Sequence, residues 1–424
     1  MSIPLRPRLR PLEISPIEGD DAALFALVDP EGFGQTVVVP HGGALLAMLM
    51  DGKRTLAGLQ AQFQAEAGLP LALSDLKRLV RQLDEACLLE GERFEARRAE
   101  EVRKYLARST RPAAFAGSSY PAEPDALRKE LAAYFSSPKG PGPLEAGGDG
   151  GVPPLCAVVS PHIDPYRGGP AYAWAYRQIA RLSGADLFVI FGTAHRPMEN
   201  LFSVTRKEFE TPLGPVRTDG RFIDRLAGHL ASSVAGQQVD LFADELIHRG
   251  EHSIEFQALF LQYVLGQRRP LAIVPVLVNS FYPLFDEGTS PDQAPEMQAF
   301  LAAVRAAASE HAGRVCYVSG ADLAHVGKRF GDDWTIDAQR REEQSAEDRR
   351  LLETICRGDA AELFRQVAGQ QDRRRICGLA PTYTLLEVIG PARGELLAYD
   401  QAVERDGSGC VTFASVAFYL RGGS

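Results

Sequence analysis

Leu187-Phe-Val-Ile-Phe191-Gly-Thr-Ala-His195-Arg196 is an unbroken apolar run that ends in glycine and then delivers a histidine. A short continuous apolar run bounded by turn residues reads as a strand buried on both faces of a sheet with parallel neighbours. The wording recurs twice. Ala157-Val-Val159 leads into Ser160-Pro-His162-Ile-Asp164, and Val315-Cys-Tyr-Val318 leads towards Asp322-Leu-Ala-His325. Ligands of open α/β sheets bind where strands release into loops at their carboxyl ends. His162, His195 and Asp322 with His325 are therefore expected to converge in one crevice. Glu251-His252-Ser253 and Cys377, in Ile376-Cys-Gly-Leu-Ala-Pro381, are further candidates. Imidazole, carboxylate and thiolate meeting there make a candidate divalent metal site.

Working outward, strands alternate with helices: strands near 157, 187, 272–278 and 315, and helices over Gly169–Leu182, Arg221–Leu230, Ile254–Leu265, Ala294–His311, Ala338–Arg357 and Ala360–Val367. Strands Gly394–Tyr399 and Cys410–Tyr419 close the chain, and a helix over Pro124–Phe135 precedes the series. Such alternation predicts a layered α/β/α domain with a central mixed sheet, over residues 109–424. The stretch 137–154 holds too many glycines and prolines for a helix or central strand, and is expected as a flexible loop inside that domain.

The first 108 residues follow another pattern. Runs at Ala23–Val28 and Thr36–Val39 read as strands, followed by helices over Gly43–Met50, Thr55–Ala67 and Ser74–Ala86. In the last of these Leu76, Leu79, Val80 and Leu83 recur at helical spacing. Leu88–Phe94 reads as a hairpin or wing, and a charged helix over Glu95–Arg108 leads onward. The outline is a small winged-helix-like α+β domain. Met50–Leu56, Leu76–Val80 and Leu83–Leu89 resemble PqqD-like peptide-recognition modules, which implies a peptide ligand; a docking domain without a ligand is the alternative.

At 424 residues the chain exceeds one ordinary core, so two domains are expected. Its six cysteines form no Cys-x-x-Cys pair, which argues against a zinc ribbon or a secreted disulfide framework. With neither a signal-like apolar stretch nor a membrane-length one, the expectation is a cytoplasmic protein without a membrane partner. A net charge of −9 disfavours nucleic acid as a partner.

In order along residues 112–424 stand Ala116-Gly-Ser-Ser-Tyr-Pro121, Pro161-His162 with Gly168-Gly169, Gly192–His195, Thr211-Pro-Leu-Gly214 with Asp219, Glu251-His-Ser-Ile-Glu255 with Phe260–Tyr263, Ile273-Val-Pro-Val276, Asp322–His325 with Gly327, and Cys377-Gly378. Together they resemble the Memo-like family, the B component of the AmmeMemoRadiSam system, similar in fold to class III extradiol (LigB-like) dioxygenases. The resemblance implies a metal centre of His162, His195 and Cys377, with cysteine where the dioxygenases use a carboxylate. It also implies that His252, Asp322 and His325 line the pocket in catalytic roles, and that radical-SAM and AMMECR1-type proteins are partners. Iron is the first expectation for the metal, with copper or zinc as alternatives, because thiolate softens the site. Two departures from the family's usual wording, Ile163-Asp164-Pro165 after His162 and Arg196 after His195, set charge beside the expected ligands.

Each residue also has a plainer reading. His162 and His195 read alternatively as loop histidines bonded to backbone, Cys377 as a small buried residue, and His252 as a packed histidine at a helix start. Asp322 and His325, at i and i+3, either share one face of a helical turn as a proton relay or leave Asp322 as a cap. His248-Arg-Gly-Glu-His252 lacks the glutamate that zincin proteases carry after their first histidine, and no phosphate-binding or nucleophile-elbow glycine pattern occurs in context. Three functions stay open: a metal-dependent redox enzyme related to the dioxygenases, a non-catalytic peptide- or partner-binding module, and metal delivery.

Overall fold

A computed structural model describes residues 3–17, 24–144, 154–233, 239–266 and 268–420. Ala23 of the first expected strand, and residues 145–153 of the expected flexible loop, lie outside the described residues. The chain divides into two compact units, Met1–Arg108 and Ser109–Ser424.

In the first unit, strands β1 (Glu13–Ile17), β2 (Leu24–Val28) and β3 (Val37–Pro40) form an antiparallel sheet, followed by helices α1 (His41–Met48), α2 (Leu56–Ala67), α3 (Leu73–Glu85) and α4 (Glu92–Leu106). Thr55 caps α2 as its position suggests, its hydroxyl accepting from Gly58 N. Leu76, Val80 and Leu83 of α3 are fully buried with Leu59 and Phe63 of α2. β1 escaped the sequence reading because Glu-Ile-Ser-Pro-Ile carries a proline, which suits only an edge strand. The expected wing does not form. Glu92 and Glu95 occupy the first turn of α4, where acidic side chains favour a helix, and Phe94 is buried with the Arg10 guanidinium 3.7 Å from its ring centre.

The second unit begins with β4 (Thr110–Arg111), α5 (Pro124–Ser136), β5 (Leu155–Ser160), α6 (Pro165–Gln178), β6 (Leu187–Thr193), β7 (Phe202–Val204), β8 (Glu208–Phe209) and β9 (Arg217–Thr218). It continues through α7 (Gly220–Ser233), α8 (His252–Leu265), β10 (Ala272–Val278), α9 (Tyr282–Glu287), α10 (Pro295–Ser309), β11 (Val315–Gly320) and β12 (His325–Val326). The last elements are α11 (Ala338–Arg357), α12 (Ala360–Ala368), α13 (Leu379–Ile389), β13 (Arg393–Val403) and β14 (Cys410–Tyr419). The main sheet is mixed, in the order β12-β14-β5-β11-β6-β10-β7, with β13 on β14 and β9 on β10. Its centre, β5-β11-β6-β10, is parallel, while β7 and β14 run against it.

Alternation along the central strands feeds two cores. Leu187, Val189 and Phe191 join α7 and α10–α13 on one face, while Phe188 and Ile190 join α5, α6 and α8 on the other. This is the expected three-layer arrangement. Helix α6 starts earlier than its apolar pattern suggested, since Asp164 caps it by accepting from Arg167 N and Pro165 takes the first position. Helix α13 was missed because nearly all its residues are buried, so no amphipathic period marks it. Among the described residues no helix is long and apolar enough to cross a membrane, and all six cysteines are unpaired.

One buried ion pair ties the start of this unit to α8. The Arg111 guanidinium donates to the Glu255 carboxylate and, at 2.8 Å each, to the carbonyls of His248 and Glu251. Glu255 also accepts from the amides of Ala114 and Phe115, at 3.0 Å, and from the Tyr120 hydroxyl. In Glu255→Ala an unpaired guanidinium is left in the core, and a stability loss of about 3–5 kcal/mol is expected by urea denaturation. Arg111→Met/Glu255→Leu should not recover that loss, because it strips the His248 and Glu251 carbonyls and the Ala114 and Phe115 amides of their buried partners.

His248 is buried in the same region, with Nε2 3.2 Å from Ser203 Oγ. Burial, and then the nearby Arg111 charge, push its imidazole down to about 3. The unfolded chain carries an ordinary histidine near 6.5, so it binds the proton that the fold rejects. The stabilisation is complete above about pH 6.5 and fades as pH falls towards 3, by about 2 kcal/mol at pH 5 from this residue. His248→Gln should show a correspondingly shallower loss of stability between pH 7.5 and pH 5.

Candidate metal centre

Register places the site. Gly320 of β11 lies opposite Ser160 of β5 and Gly192 of β6, so the carboxyl ends of three adjacent strands open together. His162 follows β5 by two residues, His195 follows β6 by two, and Asp322 follows β11 by two. Cys377 arrives from the other direction, just before α13, where Gly378 N donates to Asp322 O at 3.0 Å. A Cβ on Gly378 would lie 2.3 Å from that carbonyl, so only glycine permits the approach.

The three expected ligands meet. His162 Nε2 is 3.1 Å from Cys377 Sγ, the His162 and His195 ring centres are 5.0 Å apart, and one donor atom from each residue lies within 4.8 Å of the others. Their remaining atoms are committed elsewhere. His162 Nδ1 is 2.8 Å from Gly320 O, and a carbonyl can only accept, so Nδ1 carries the proton and Nε2 is bare. His195 receives two contacts from Glu251, whose carboxylate accepts from its amide at 3.0 Å and lies 3.0 Å from Nδ1. Thr193 Oγ donates to Cys377 O at 3.0 Å.

Glu251 is the residue whose reach the sequence understated. Its carboxylate lies 3.3 Å from Nδ1 of the neighbouring His252, and it also holds His195 and caps α8 by accepting from Ser253 N. Glu251, His195 and His252 form a second close group of donors. Here the carboxylate and Nδ1 atoms are already at hydrogen-bonding distance, so the group works as an anchor. His252, the first residue of α8, stacks on His195 with ring centres 4.6 Å apart and faces His162 edge-on at 5.3 Å.

Asp322 and His325 are placed differently from either expectation. No helical turn joins them: His325 begins β12, and Leu323 N donates to Thr412 O at 2.8 Å. The segment is extended because pairing with β14 claims it. Nor does Asp322 cap its own segment; its Oδ1 accepts from His162 N at 2.9 Å, fixing the β5 loop, and Oδ2 lies 3.7 Å from His162 Nε2. His325 Nδ1 faces two carbonyls, Leu323 O and Arg375 O, at 3.2 Å each, so Nδ1 carries the proton. Of the remaining histidines, His229 pairs with Glu310 and His311 with Asp186, away from the cluster.

Burial sets the protonation states. It pushes His162 and His252 down to about 3, and raises Asp322 to about 6 and the Cys377 thiol well above its ordinary value. For His195 burial works in the same downward sense, but the Glu251 carboxylate outweighs it by charge and hydrogen bond, and the imidazole is raised. Glu251 is correspondingly lowered, its own burial overcome chiefly by His195.

The match to the family model for Memo-like proteins runs over residues 111–417, nearly all of the second unit and well over half the chain. The chain belongs to the Memo-like family. A MEMO1 family protein of Aquifex aeolicus is 27% identical over 418 residues, covering 98% of this chain and all of its own length. Similar MEMO1 family proteins occur in Thermus thermophilus, 28% identical over 82% of this chain and 94% of the relative, and in Methanopyrus kandleri, 28% identical over 73% and 98%. The Aquifex relative therefore spans both units, whereas 315 aligned residues account for almost all of the Methanopyrus protein.

Because Glu251 is the main group holding His195 above its ordinary range, Glu251→Gln should lower the His195 imidazole, as burial is then opposed only by the smaller effect of Asp322. Histidine-resolved NMR titration of metal-free protein reads this directly, and an unchanged His195 titration would contradict the anchoring role.

Proposed function

We propose that this Memo-like protein is a metal-binding redox protein or non-haem oxygenase-like enzyme, with iron as first choice and copper or zinc as alternatives, held by His162, His195 and Cys377. The observation that carries the reading is the meeting of two imidazoles and a thiol whose other polar atoms are already engaged, leaving Nε2, Nε2 and Sγ for a shared partner. The donor set fits such an ion: nitrogen and sulfur suit iron, copper and zinc better than magnesium or calcium, and three protein donors leave positions for a substrate. When bound, the metal supplies Lewis acidity or one-electron chemistry.

The chain's own groups then orient and move protons. Glu251 fixes the tautomer of His195 and holds His252 Nδ1, with the His252 ring centre 5.3 Å from that of His162. Asp322, held near neutrality at about 6 and 3.7 Å from His162 Nε2, is suited to store or deliver a proton at Oδ2. His325, with Nδ1–H tied to two carbonyls, keeps Nε2 as its basic atom. The family resemblance supports a role in the AmmeMemoRadiSam system beside radical-SAM and AMMECR1-type partners. A second reading, a non-catalytic peptide- or partner-binding module, is favoured by the three-stranded sheet of the first unit, on which Ile17, Leu24 and Val38 are exposed.

Elemental analysis of anaerobically purified protein decides between the readings. Wild type is expected to carry close to one equivalent of iron, copper or zinc, falling at least about tenfold in occupancy in Cys377→Ser and His162→Ala. A wild-type protein that is metal-free and cannot be loaded would leave the binding-module reading.

A further inference from the structure

Beside His195 and Cys377 lies a hollow of about 220 Å³. Its walls are Val278, Phe281, Phe285, Ile376 and Leu379, and Ser280, Tyr282, Asp372 and Arg375 stand with them towards the surface. The back is rigid: Phe281 is 2% exposed and packs edge-on against Tyr383, with ring centres 5.5 Å apart, while Phe285 packs on Phe364 at 5.6 Å. Tyr282, 55% exposed, has room to adjust.

The polar groups of this hollow are spoken for. Thr193 Oγ donates to Cys377 O, Ser280 Oγ accepts from Tyr282 N at 3.1 Å, and Asp372 accepts from Ile376 N at 2.7 Å. The Arg375 guanidinium is bound in fork fashion to Asp332, at 3.1 and 3.3 Å. The hollow therefore offers apolar surface and the His195–Cys377 end, without a free countercharge. Three larger hollows differ: one of about 330 Å³ beside α11 and α12 includes Glu347, Arg350, Arg373 and Arg374, one of about 860 Å³ lies at the amino ends of β6 and β10, and one of about 300 Å³ includes Arg341, Glu342 and Asp400.

We infer that the hollow is a subsite for a small, uncharged apolar group, up to about one six-membered ring with a short substituent, whose reactive or ligating end faces His195 and Cys377. The size follows from volume, since an apolar cavity of about 150 Å³ accepts benzene. The preference against charge in the metal-free protein follows from desolvation: with His195 already paired to Glu251 and Arg375 to Asp332, a carboxylate or phosphate buried here gains no partner to replace its water. The role of the subsite in chemistry rests on the metal-centre reading, but its shape and apolar lining do not.

The test uses the full chain, as isolated and after chelation, with metal content measured on each sample. Fluorine NMR follows fluorobenzene and 4-fluorobenzoate. Fluorobenzene is expected to bind saturably to both samples, and 4-fluorobenzoate, compared on the chelated sample only, at least about tenfold more weakly. Ser280 is exposed, so Ser280→Trp plugs the hollow without touching the core; it should weaken fluorobenzene at least about tenfold while metal content and thermal melting stay as in wild type. Equal or tighter binding of the benzoate, no saturable binding of fluorobenzene, or indifference to Ser280→Trp would each overturn the inference. Fluorobenzene binding in a protein that never holds metal sinks the metal reading and leaves the subsite standing; metal binding without fluorobenzene does the reverse.

Discussion

The ion pair between Arg111 and Glu255 is the contact on which the site geometry depends. Both side chains are fully buried, and an unpaired charge of either sign in that position would be expensive. The surrounding hydrogen bonds make the pair tolerable: Glu255 accepts from four groups between residues 111 and 120, and Arg111 donates to the carbonyls of His248 and Glu251. By gripping Glu251 O just ahead of α8, Arg111 fixes the backbone from which the Glu251 carboxylate reaches His195 and His252. A charge more than eighty residues away in sequence thus sets the tautomer of an imidazole at the carboxyl end of the sheet. The same geometry explains Gly320, where a Cβ would lie 2.4 Å from Ser253 O: the start of α8 is pressed directly onto the end of β11.

Much of the second unit was legible because its central strands are buried on both faces. Continuous apolar runs at 157–159, 187–191 and 315–318 announce a parallel sheet, and their carboxyl ends indicate where loop residues meet. That reasoning reached His162, His195 and Asp322. It named Cys377 only as a further candidate, and its place as the third ligand came from family resemblance, since a cysteine ahead of an all-buried helix carries no spacing signal. The relation of Asp322 to His325 was misjudged for a related reason: i, i+3 spacing suggests a helix only when the backbone is free to form one, and here β14 takes the segment as a short strand. The multiple duties of Glu251 were half visible, because a carboxylate directly before His252 suggests a partner for that imidazole, but its grip on His195 is a tertiary contact.

In the first unit the apolar period of α3 and the cap of α2 follow local rules and were readable. The wing was not, because Leu88–Phe94 is equally compatible with a hairpin and with a helix start, and burial of Phe94 beside Arg10 chooses the helix. Local propensity decides elements whose alternatives differ by more than a contact or two; where they do not, packing decides.

The approach to Cys377 shows how the site is held under strain. Among the described residues four non-glycine residues have positive φ, and three of them, Gln371 at 52°, Asp372 at 43° and Arg375 at 53°, fall in the six positions before the cysteine. Such conformations cost on the order of 1 kcal/mol each and persist only where neighbours over-determine them. The neighbours here are strong. Arg374 is buried against Asp348 and Gln344, and its carbonyl accepts from His325 N at 2.8 Å. Arg375 donates to Asp332 and to His325 O, while its own carbonyl lies 3.2 Å from His325 Nδ1. The strained turn is thus fastened on both sides, to α11 by Arg374 and to the β12 segment by Arg375, and the two fastenings converge on His325. Since Cys377 is two residues further on and tied by Gly378 N to Asp322 O, the sulfur, the Asp322 carboxylate and the His325 ring are set by one network. A relaxed turn would cost less locally, but it would give up the fastenings that bring a thiol within 3.1 Å of His162 Nε2.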